Sequence, residues 1–398
     1  MLREEESMAQ REESLDSSEL TASLFLAVAT FAIFLSSTLV KPVLPVLAEE
    51  LGGESLEIAG VLMASIVFLS LLQPFTGVLA DRYGYLKAIV AGGVLGALTS
   101  LLCALASKWQ ELLVLRALGG LADAVSGPAI LALATSISSK RRGLVLGIFR
   151  SSQGLSFVIG PILGALLARL LFLRAPFFFD SVLTFIAIVL FLLFFRREYS
   201  EGRLERLEYG ALGEVVRSGR LLKVACIGFS ECFSFTVWSS FLPVYMLSMG
   251  MREQEIGLVF SVEALAFSLS NVFVGYLADK VGRKPLAVLG ALLTTVSSLA
   301  YLYLRSLVQI VVVSLFYGAG CSMIFLLSTV MAADIIPEDK RAALLGAFDA
   351  VMDLGLAVGP IATWIFLKST GLTVSAAFIL MACVTGVAAL VALSHRER

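Results

Sequence analysis

The fold of this 398-residue chain is decided by a segment that occurs twice, as GVLADRYG at residues 77–84 and as GYLADKVG at residues 275–282. The two copies lie 198 positions apart, and two further pairs keep almost the same spacing. Leu44-Pro45-Val46 recurs at residues 242–244, and Gly160-Pro161 recurs at residues 359–360. Because three separate motifs share one offset, the sequence predicts an internal duplication with one copy in each half of the chain.

The composition places both halves in a membrane. Apolar residues make up 58% of the chain and charged residues 15%, with a mean hydropathy of +0.92. A soluble domain has about 45–50% apolar and about 25% charged residues, so the apolar surplus must face lipid. Twelve spans of about 20 residues take about 240 residues, which leaves no room for a soluble catalytic or nucleotide-binding domain. The five cysteines all lie in apolar runs, which predicts free thiols rather than a disulfide framework.

Long apolar runs predict twelve spans, each of which must be an α-helix because lipid offers the backbone no hydrogen-bond partner. They cover residues 21–46, 58–80, 87–106, 110–136, 143–168, 175–195, 222–248, 255–278, 285–304, 307–333, 342–367 and 372–394. The predicted fold is an all-α membrane protein with twelve transmembrane helices in two six-helix pseudo-symmetric bundles. The predicted domains are an acidic cytoplasmic tail (1–20), an N-terminal bundle (21–195), a cytoplasmic connector (196–221) and a C-terminal bundle (222–394).

The positive charges orient the chain. One set of loops holds seventeen Lys and Arg residues and the opposite set holds six, so the positive-inside rule places both termini in the cytoplasm. The first twenty residues carry seven acids against two arginines and lack the basic start of a secretory signal. We therefore expect a multi-pass protein of the cell membrane whose first span is retained. The connector is either a plain tether or an amphipathic helix on the membrane surface.

The repeated segment resembles the G-x-L-a-D-R-x-G-R-K loop motif of the major facilitator superfamily, and the resemblance extends from about residue 20 to residue 394. It implies alternating access, in which two halves rock about a central cavity and contacts at this loop latch one side. The implied gating residues are Gly77, Asp81, Arg82, Gly84, Gly275, Asp279, Gly282 and Arg283. Asp81 is expected at a helix end, held by the dipole of the next helix and a nearby arginine. The first copy has Tyr85 where the family has a basic residue, which predicts a weaker latch there than in the second copy, with Arg283 and Lys284.

Three further matches narrow the resemblance to twelve-helix drug–proton antiporters. Arg116 with Gly119 and Gly120 resembles a motif associated with proton coupling, and Pro42-Val43-Leu44-Pro45 resembles a signature of these antiporters. The residues that resemble the antiporter motif are Gly147, Gly160, Pro161 and Gly164, with Ser156 in place of a usual glycine. Together the matches imply an exporter. The alternative is simple packing, because small residues let helices approach closely in any bundle and prolines bend helices.

Eight ionisable residues lie within the predicted spans, where each costs about 2.5–3.5 kcal/mol even on insertion scales. They must face the bundle interior, and they are functional candidates by default. The predicted proton-coupling residues are Glu231, Glu263, Asp349, Asp353, Arg116, Asp123 and Arg150. For each acid the alternative is a structural ion pair. The eighth residue, Lys41, either reaches up to the outer surface or binds an anionic substrate.

Spacing suggests which of these residues meet. Arg116 and Asp123 are seven residues apart and share a helix face, and Asp349 and Asp353 do so at i and i+4. Arg150 aligns with Asp349 through the repeat. Glu231 shares its face with aromatic rings, an arrangement that suits an apolar or cationic substrate. The predicted substrate cavity comprises Glu231, Phe235, Trp238, Arg150, Gln153, Asp349 and Asp353.

The sequence predicts a proton-coupled exporter of small amphipathic molecules and not an enzyme. It has no Gly-Lys-Ser/Thr phosphate loop for ATP and no H-E-x-x-H or G-x-S-x-G arrangement for hydrolysis. Its single histidine, His395, lies in the tail, so carboxylates must carry the proton. We expect no cofactor, metal or nucleic acid, and a monomer whose partners are the bilayer, protons and a small substrate. Two alternatives stay open: an importer or facilitator of a small anionic metabolite that uses Arg150 and Lys41, and a non-transporting receptor or lipid-handling scaffold.

Overall fold

The computed structural model describes residues 2–136, 142–195, 209–336 and 341–394, and these form helices joined by short turns. The N-terminal half contains α1 (Leu2–Leu39), α2 (Val43–Glu50), α3 (Ser55–Tyr83), α4 (Tyr85–Leu105), α5 (Trp109–Ser136), α6 (Arg142–Leu170) and α7 (Ala175–Phe194). A short helix, α8 (Tyr209–Arg217), leads into the C-terminal half. That half contains α9 (Gly219–Ser248), α10 (Glu253–Val281), α11 (Arg283–Tyr301), α12 (Leu307–Ile335), α13 (Arg341–Thr370) and α14 (Ala377–Ser394).

Twelve segments of the described chain are long and apolar enough to cross a membrane, which confirms the predicted number. The predicted first span over residues 21–46 is confirmed within Thr21–Glu50, but it is not one continuous helix. That span is interrupted at residues 40–42, where Pro42 precedes α2, because proline has no N–H to continue the hydrogen-bond ladder. The interruption places Lys41 in a non-helical link inside the bundle.

The described part of the connector is a helix that packs on the C-terminal half. On α8, Val215 is fully buried in a cluster with Leu221 and Val224 of α9, whereas the neighbouring Val216 is exposed. Residues 196–208 of the predicted connector lie outside the described residues. The predicted domain boundaries stay predictions.

The duplication is visible as repeated contacts between helices. A Cβ atom on Gly120 of α5 would overlap the backbone of Ser65 on α3. In the second half, a Cβ atom on Gly318 of α12 would lie 2.6 Å from the carbonyl oxygen of Glu263 on α10. Both members of this second pair follow the first by 198 residues. The repeat thus preserves the close approach of helices and not only the loop motif.

The two halves meet chiefly through α6 against α10 and α3 against α13, with α2 and α3 also contacting α9. We call the end of the bundle opposite the termini the outer end. There one apolar cluster includes residues of both halves, such as Val46 and Leu62 with Leu242 and Phe260. Nearer the termini, the N-terminal and C-terminal halves have separate apolar clusters. The halves are therefore joined at the outer end and separately packed at the inner end.

Neighbouring glycines on α5 test whether this close approach holds the fold. We expect Gly120→Ala to lower the thermal unfolding midpoint by several degrees, because overpacking costs about 1–3 kcal/mol. Gly119→Ala is the matched control, since its Cβ atom would lie 3.8 Å from the nearest atom, Oγ1 of Thr99. Thermal unfolding of the two purified variants in detergent checks this. Equal midpoints would contradict the contact.

Candidate functional site

Ionisable residues on α5 and α13 lie on the side of each helix opposite the lipid. At about 100° per residue, Asp123 lies about 140° from Leu118 and about 180° from Val114 around α5, and both of these apolar side chains are exposed. On α13, Asp349 has the same relation to Leu354 and Val358, which are also exposed. Both carboxylates therefore face the interior, as the cost of charge at lipid depth requires.

Charged residues form two layers at different depths. Lys41, Arg116 and Glu263 lie nine, seven and ten residues from the outer ends of α2, α5 and α10. At about 1.5 Å per residue, this upper layer is about 10–15 Å below the outer end. The lower layer lies fourteen to twenty-one residues from the outer ends, about 20–30 Å down, and consists of Asp123, Glu231, Asp349 and Asp353.

In the upper layer, the N-terminal half contributes the cations. The Nη2 of Arg116 donates to the Ser65 hydroxyl across 2.8 Å, and its Nε is buried with no partner among the described residues. The ammonium of Lys41 lies 4.8 Å from the centre of the Phe157 ring on α6, in cation–π geometry. The idea that Lys41 reaches the outer surface is therefore wrong, because its ammonium is held by a ring inside the bundle.

The C-terminal half contributes the upper-layer acid. Glu263 is 4% exposed, and its Oε1 has no hydrogen-bond partner in the part of the chain that the structure describes. Lys41 and Glu263 act on each other electrostatically across the contact between the halves. A buried carboxylate without a donor is costly, which marks Glu263 as a functional candidate.

The lower layer consists of acids that differ in exposure, and its outermost member, Asp123, is exposed. Glu231 is 5% exposed. Asp353, at the same depth, is half-buried and influences Glu231 electrostatically, and Asp349, one turn nearer the inner end, is exposed. Exposure therefore does not rise steadily with depth, and the opening at the inner end is indicated by the separate packing of the two halves there.

The aromatic residues predicted to line the cavity differ in position. Trp238 is completely buried in the C-terminal half, where its indole N–H donates to the Tyr301 hydroxyl across 3.0 Å and its ring stacks on Tyr317 at 5.5 Å. Phe235 is half-buried and stacks on Trp238 at 6.4 Å. In this state Phe235 can reach the space between the halves, whereas Trp238 supports it from behind.

The predicted antiporter glycines make packing contacts. Cβ atoms on Gly160 and Gly164 of α6 would overlap Thr38 and Leu39 at the end of α1. Between these positions and the inner end, Ser156 donates to the Phe31 carbonyl at 3.1 Å. These contacts serve close packing, and a coupling role for the motif stays a prediction. Gln153, also on α6, is half-buried.

The gating motif ends in a glycine in each half. Gly84 and Gly282 have φ values of 99° and 91°, where a side chain would be strained, and they end α3 and α10. In the second half, Arg283 forms an ion pair with Asp334 near the end of α12. The side chains of Asp81, Asp279 and Arg150 lie outside what the structure describes, as does the site of Gly147. Their predicted roles, and the predicted weakness of the first latch, stay predictions.

The outer end is closed by contacts between the halves. The guanidinium of Arg252, before α10, lies 2.6 Å from the carboxylate of Glu49 on α2. Beneath this exposed ion pair is the shared apolar cluster, so the upper layer is sealed from the outside. The structure therefore combines a closed outer end with a charged interior that opens at the inner end.

Comparison with known proteins places this geometry in a family. The profile of the Major Facilitator Superfamily matches residues 26–252 and 224–398. The chain belongs to this superfamily. It is 26% identical over 337 residues to the human synaptic vesicular amine transporter, an alignment that covers 81% of this chain and only 64% of that protein. It is 24% identical over 349 residues to the multi-drug resistance efflux pump PmrA of Streptococcus pneumoniae, covering 85% and 88% of the two chains.

Solved structures agree on the fold of this MFS protein. A bacterial homolog of the human lysosomal transporter Spinster, described as inward-facing and unoccupied, superposes with a TM-score of 0.76. The match covers 96% of this chain and 99% of that one at 14% identity. This likeness confirms the twelve-helix, two-bundle fold predicted from the sequence.

Sequence reasoning missed three features of the site. These are the Arg116 contact with Ser65, the tyrosines behind Trp238, and the outer pair of Glu49 and Arg252. The sequence carries one signal for the first, because the 198-residue offset aligns Ser65 with Glu263 and Arg116 with Ser314 and so marks these positions as equivalent in the two halves. The other two depend on how side chains meet across helices distant in sequence.

Thiol labelling tests the direction of opening. In a background without the five native cysteines, we expect Asp349→Cys to react with a membrane-impermeant maleimide added from the side that carries the termini. Glu263→Cys should stay unlabelled from the outer side in the same resting state, because it lies beneath the outer closure. Labelling of position 349 only from the opposite side would contradict the described arrangement.

Proposed function

We propose that this MFS protein is a proton-coupled exporter of small amphipathic molecules that works by alternating access. The observation that carries the proposal is the set of carboxylates of the C-terminal half facing the space between the halves, with Asp349 exposed and Glu231 buried. The opening lies at the end predicted to be cytoplasmic, the side from which an exporter loads.

The coupling follows from competition for the same carboxylates. In the inner-open state, Asp349 and Asp353 exchange protons with the cytoplasm, and a substrate binds most favourably when they are ionised. After the halves rock, protons from the outside neutralise the carboxylates, which weakens substrate binding and releases the substrate. The protonated carrier then returns and loses its protons inside. One cycle moves substrate out and protons in, so the proton gradient drives export.

The residues suit this exchange because charge at lipid depth is costly, and a carboxylate can remove its own charge by taking a proton. Glu231 and Asp353 lie at one depth and interact electrostatically. Two like charges in proximity resist joint ionisation, which favours proton uptake by the pair. The half-buried Phe235 beside them offers an apolar surface for an amphipathic substrate.

The name of one relative supports efflux, and the name of another supports an amine as substrate. The pneumococcal relative is a multi-drug resistance efflux pump, and the human relative is a vesicular amine transporter. The cations Lys41 and Arg116 of the upper layer favour a second candidate, a carrier for a small anionic metabolite. Reversing the pH gradient separates the two, since antiport reverses its direction and facilitated transport is indifferent.

Neutral substitutions test the carboxylates. We expect Glu231→Gln and Asp353→Asn each to reduce pH-gradient-driven movement of ethidium in proteoliposomes at least tenfold, because neither amide can exchange a proton. Glu50→Gln, on the exposed end of α2, is the matched control and should retain wild-type transport. If both interior variants keep full pH-driven transport, the assigned proton carriers are wrong.

A further inference from the structure

The upper layer contains two pseudo-symmetric positions that carry different chemistry. In the N-terminal half, α3 has Ser65 and α5 has Arg116, which donates to it. The equivalents 198 residues later are Glu263 on α10 and Ser314 on α12. At these equivalent positions, the N-terminal half therefore has a cation, Arg116, and the C-terminal half has an anion, Glu263.

Ser314, the C-terminal equivalent of Arg116, does not hydrogen-bond to Glu263. The Ser314 hydroxyl lies 2.8 Å from the Tyr301 hydroxyl, which in turn accepts the indole N–H of Trp238. This chain of hydrogen bonds commits Ser314 to the aromatic core. Glu263 keeps a buried oxygen, Oε1, that no group in the described chain reaches.

The cation available to Glu263 comes from the opposite half. Lys41 stands in the link between α1 and α2, and α2 and α6 both pack against α10. Its ammonium rests over the Phe157 ring, 4.8 Å from the ring centre, and is not within ion-pair distance of Glu263. A lysine has a long, flexible stem and three donors. It can therefore move between the aromatic ring and the carboxylate.

We propose that Glu263 is a subsite for the ammonium or other cationic group of a substrate, and that Lys41 is a tethered cation that competes for it. The aromatic face of Phe157 and the unpartnered carboxylate are the two groups that recognise an organic cation. Lys41 already lies on the Phe157 ring and is attracted to the Glu263 carboxylate. This specificity rests on the proposed export function, and it makes Lys41 the residue that sets how tightly a cation binds.

Other charges around the subsite favour the same exchange. Lys41 and Glu263 interact electrostatically with five further groups, which are Arg116, Asp123, Glu231, Tyr301 and Cys321. Arg116 repels the Lys41 ammonium, whereas Asp123 and Glu263 attract it. A substrate cation that takes Glu263 leaves Lys41 with Phe157 and Asp123 as partners, so displacement does not isolate its charge.

Binding of tetraphenylphosphonium, a permanent cation, to purified protein in detergent tests the competition. We expect Lys41→Met to tighten binding at least fivefold and Lys41→Arg, which keeps the charge, to stay within twofold of wild type. Glu263→Gln should weaken binding at least tenfold and remove the effect of Lys41→Met in the double variant, because coupled residues are non-additive.

Three results would overturn the competition. The first is that Lys41→Met binds tetraphenylphosphonium no more tightly than wild type. The second is that Lys41→Met tightens binding equally in the Glu263→Gln background. The third is that neither wild type nor Lys41→Met binds tetraphenylphosphonium. Thermal unfolding of each variant shows that it is folded. Proton-driven transport of ethidium by the same wild-type preparation is a separate readout, so that transport with no Lys41 effect rejects the competition alone and leaves the export function standing.

Discussion

The structure depends on the cost of placing ionisable side chains at lipid depth. Such residues occur in several spans, and Asp123 on α5 and Asp349 on α13 face away from the exposed apolar side of their helices. A single bundle of helices could hold these ionised side chains only if every one of them formed an ion pair. Two bundles packed against each other leave a surface between them instead, and Asp123 and Asp349 of the lower layer are exposed.

The duplication explains both the architecture and its asymmetry. Close contacts such as Gly120 on Ser65 and Gly318 on Glu263 recur in the two halves, because the backbone geometry was inherited with the repeat. The polar side chains at these places differ, and that difference gives the N-terminal half a cation and the C-terminal half an acid. In the upper layer, a symmetric scaffold thereby holds opposite charge on its two sides.

Much of the fold could be predicted from the sequence, and less of the site. Twelve helices and two bundles follow from apolar runs and from one repeat spacing, since both are properties of the chain alone. The break at residues 40–42 was not predicted because the apolar run continues through it. The inward position of Lys41 was not predicted for the same reason. The burial of Trp238 and the contact between Glu49 and Arg252 were not predictable, because they depend on the relative placement of helices from distant parts of the chain. The assignment of the interior charges to a site stays a prediction, and their sorting into two layers required coordinates.

The central claim is that the halves rock about a shared interior whose carboxylates exchange protons. Distances between spin labels on opposite halves test it most directly, with one pair at the outer end on residues 55 and 248 and one pair at the inner end on residues 83 and 217. Pulsed electron paramagnetic resonance in lipid nanodiscs at low and at high pH should show the two distances changing in opposite directions. Distances that stay fixed, or that lengthen and shorten together, would contradict the account.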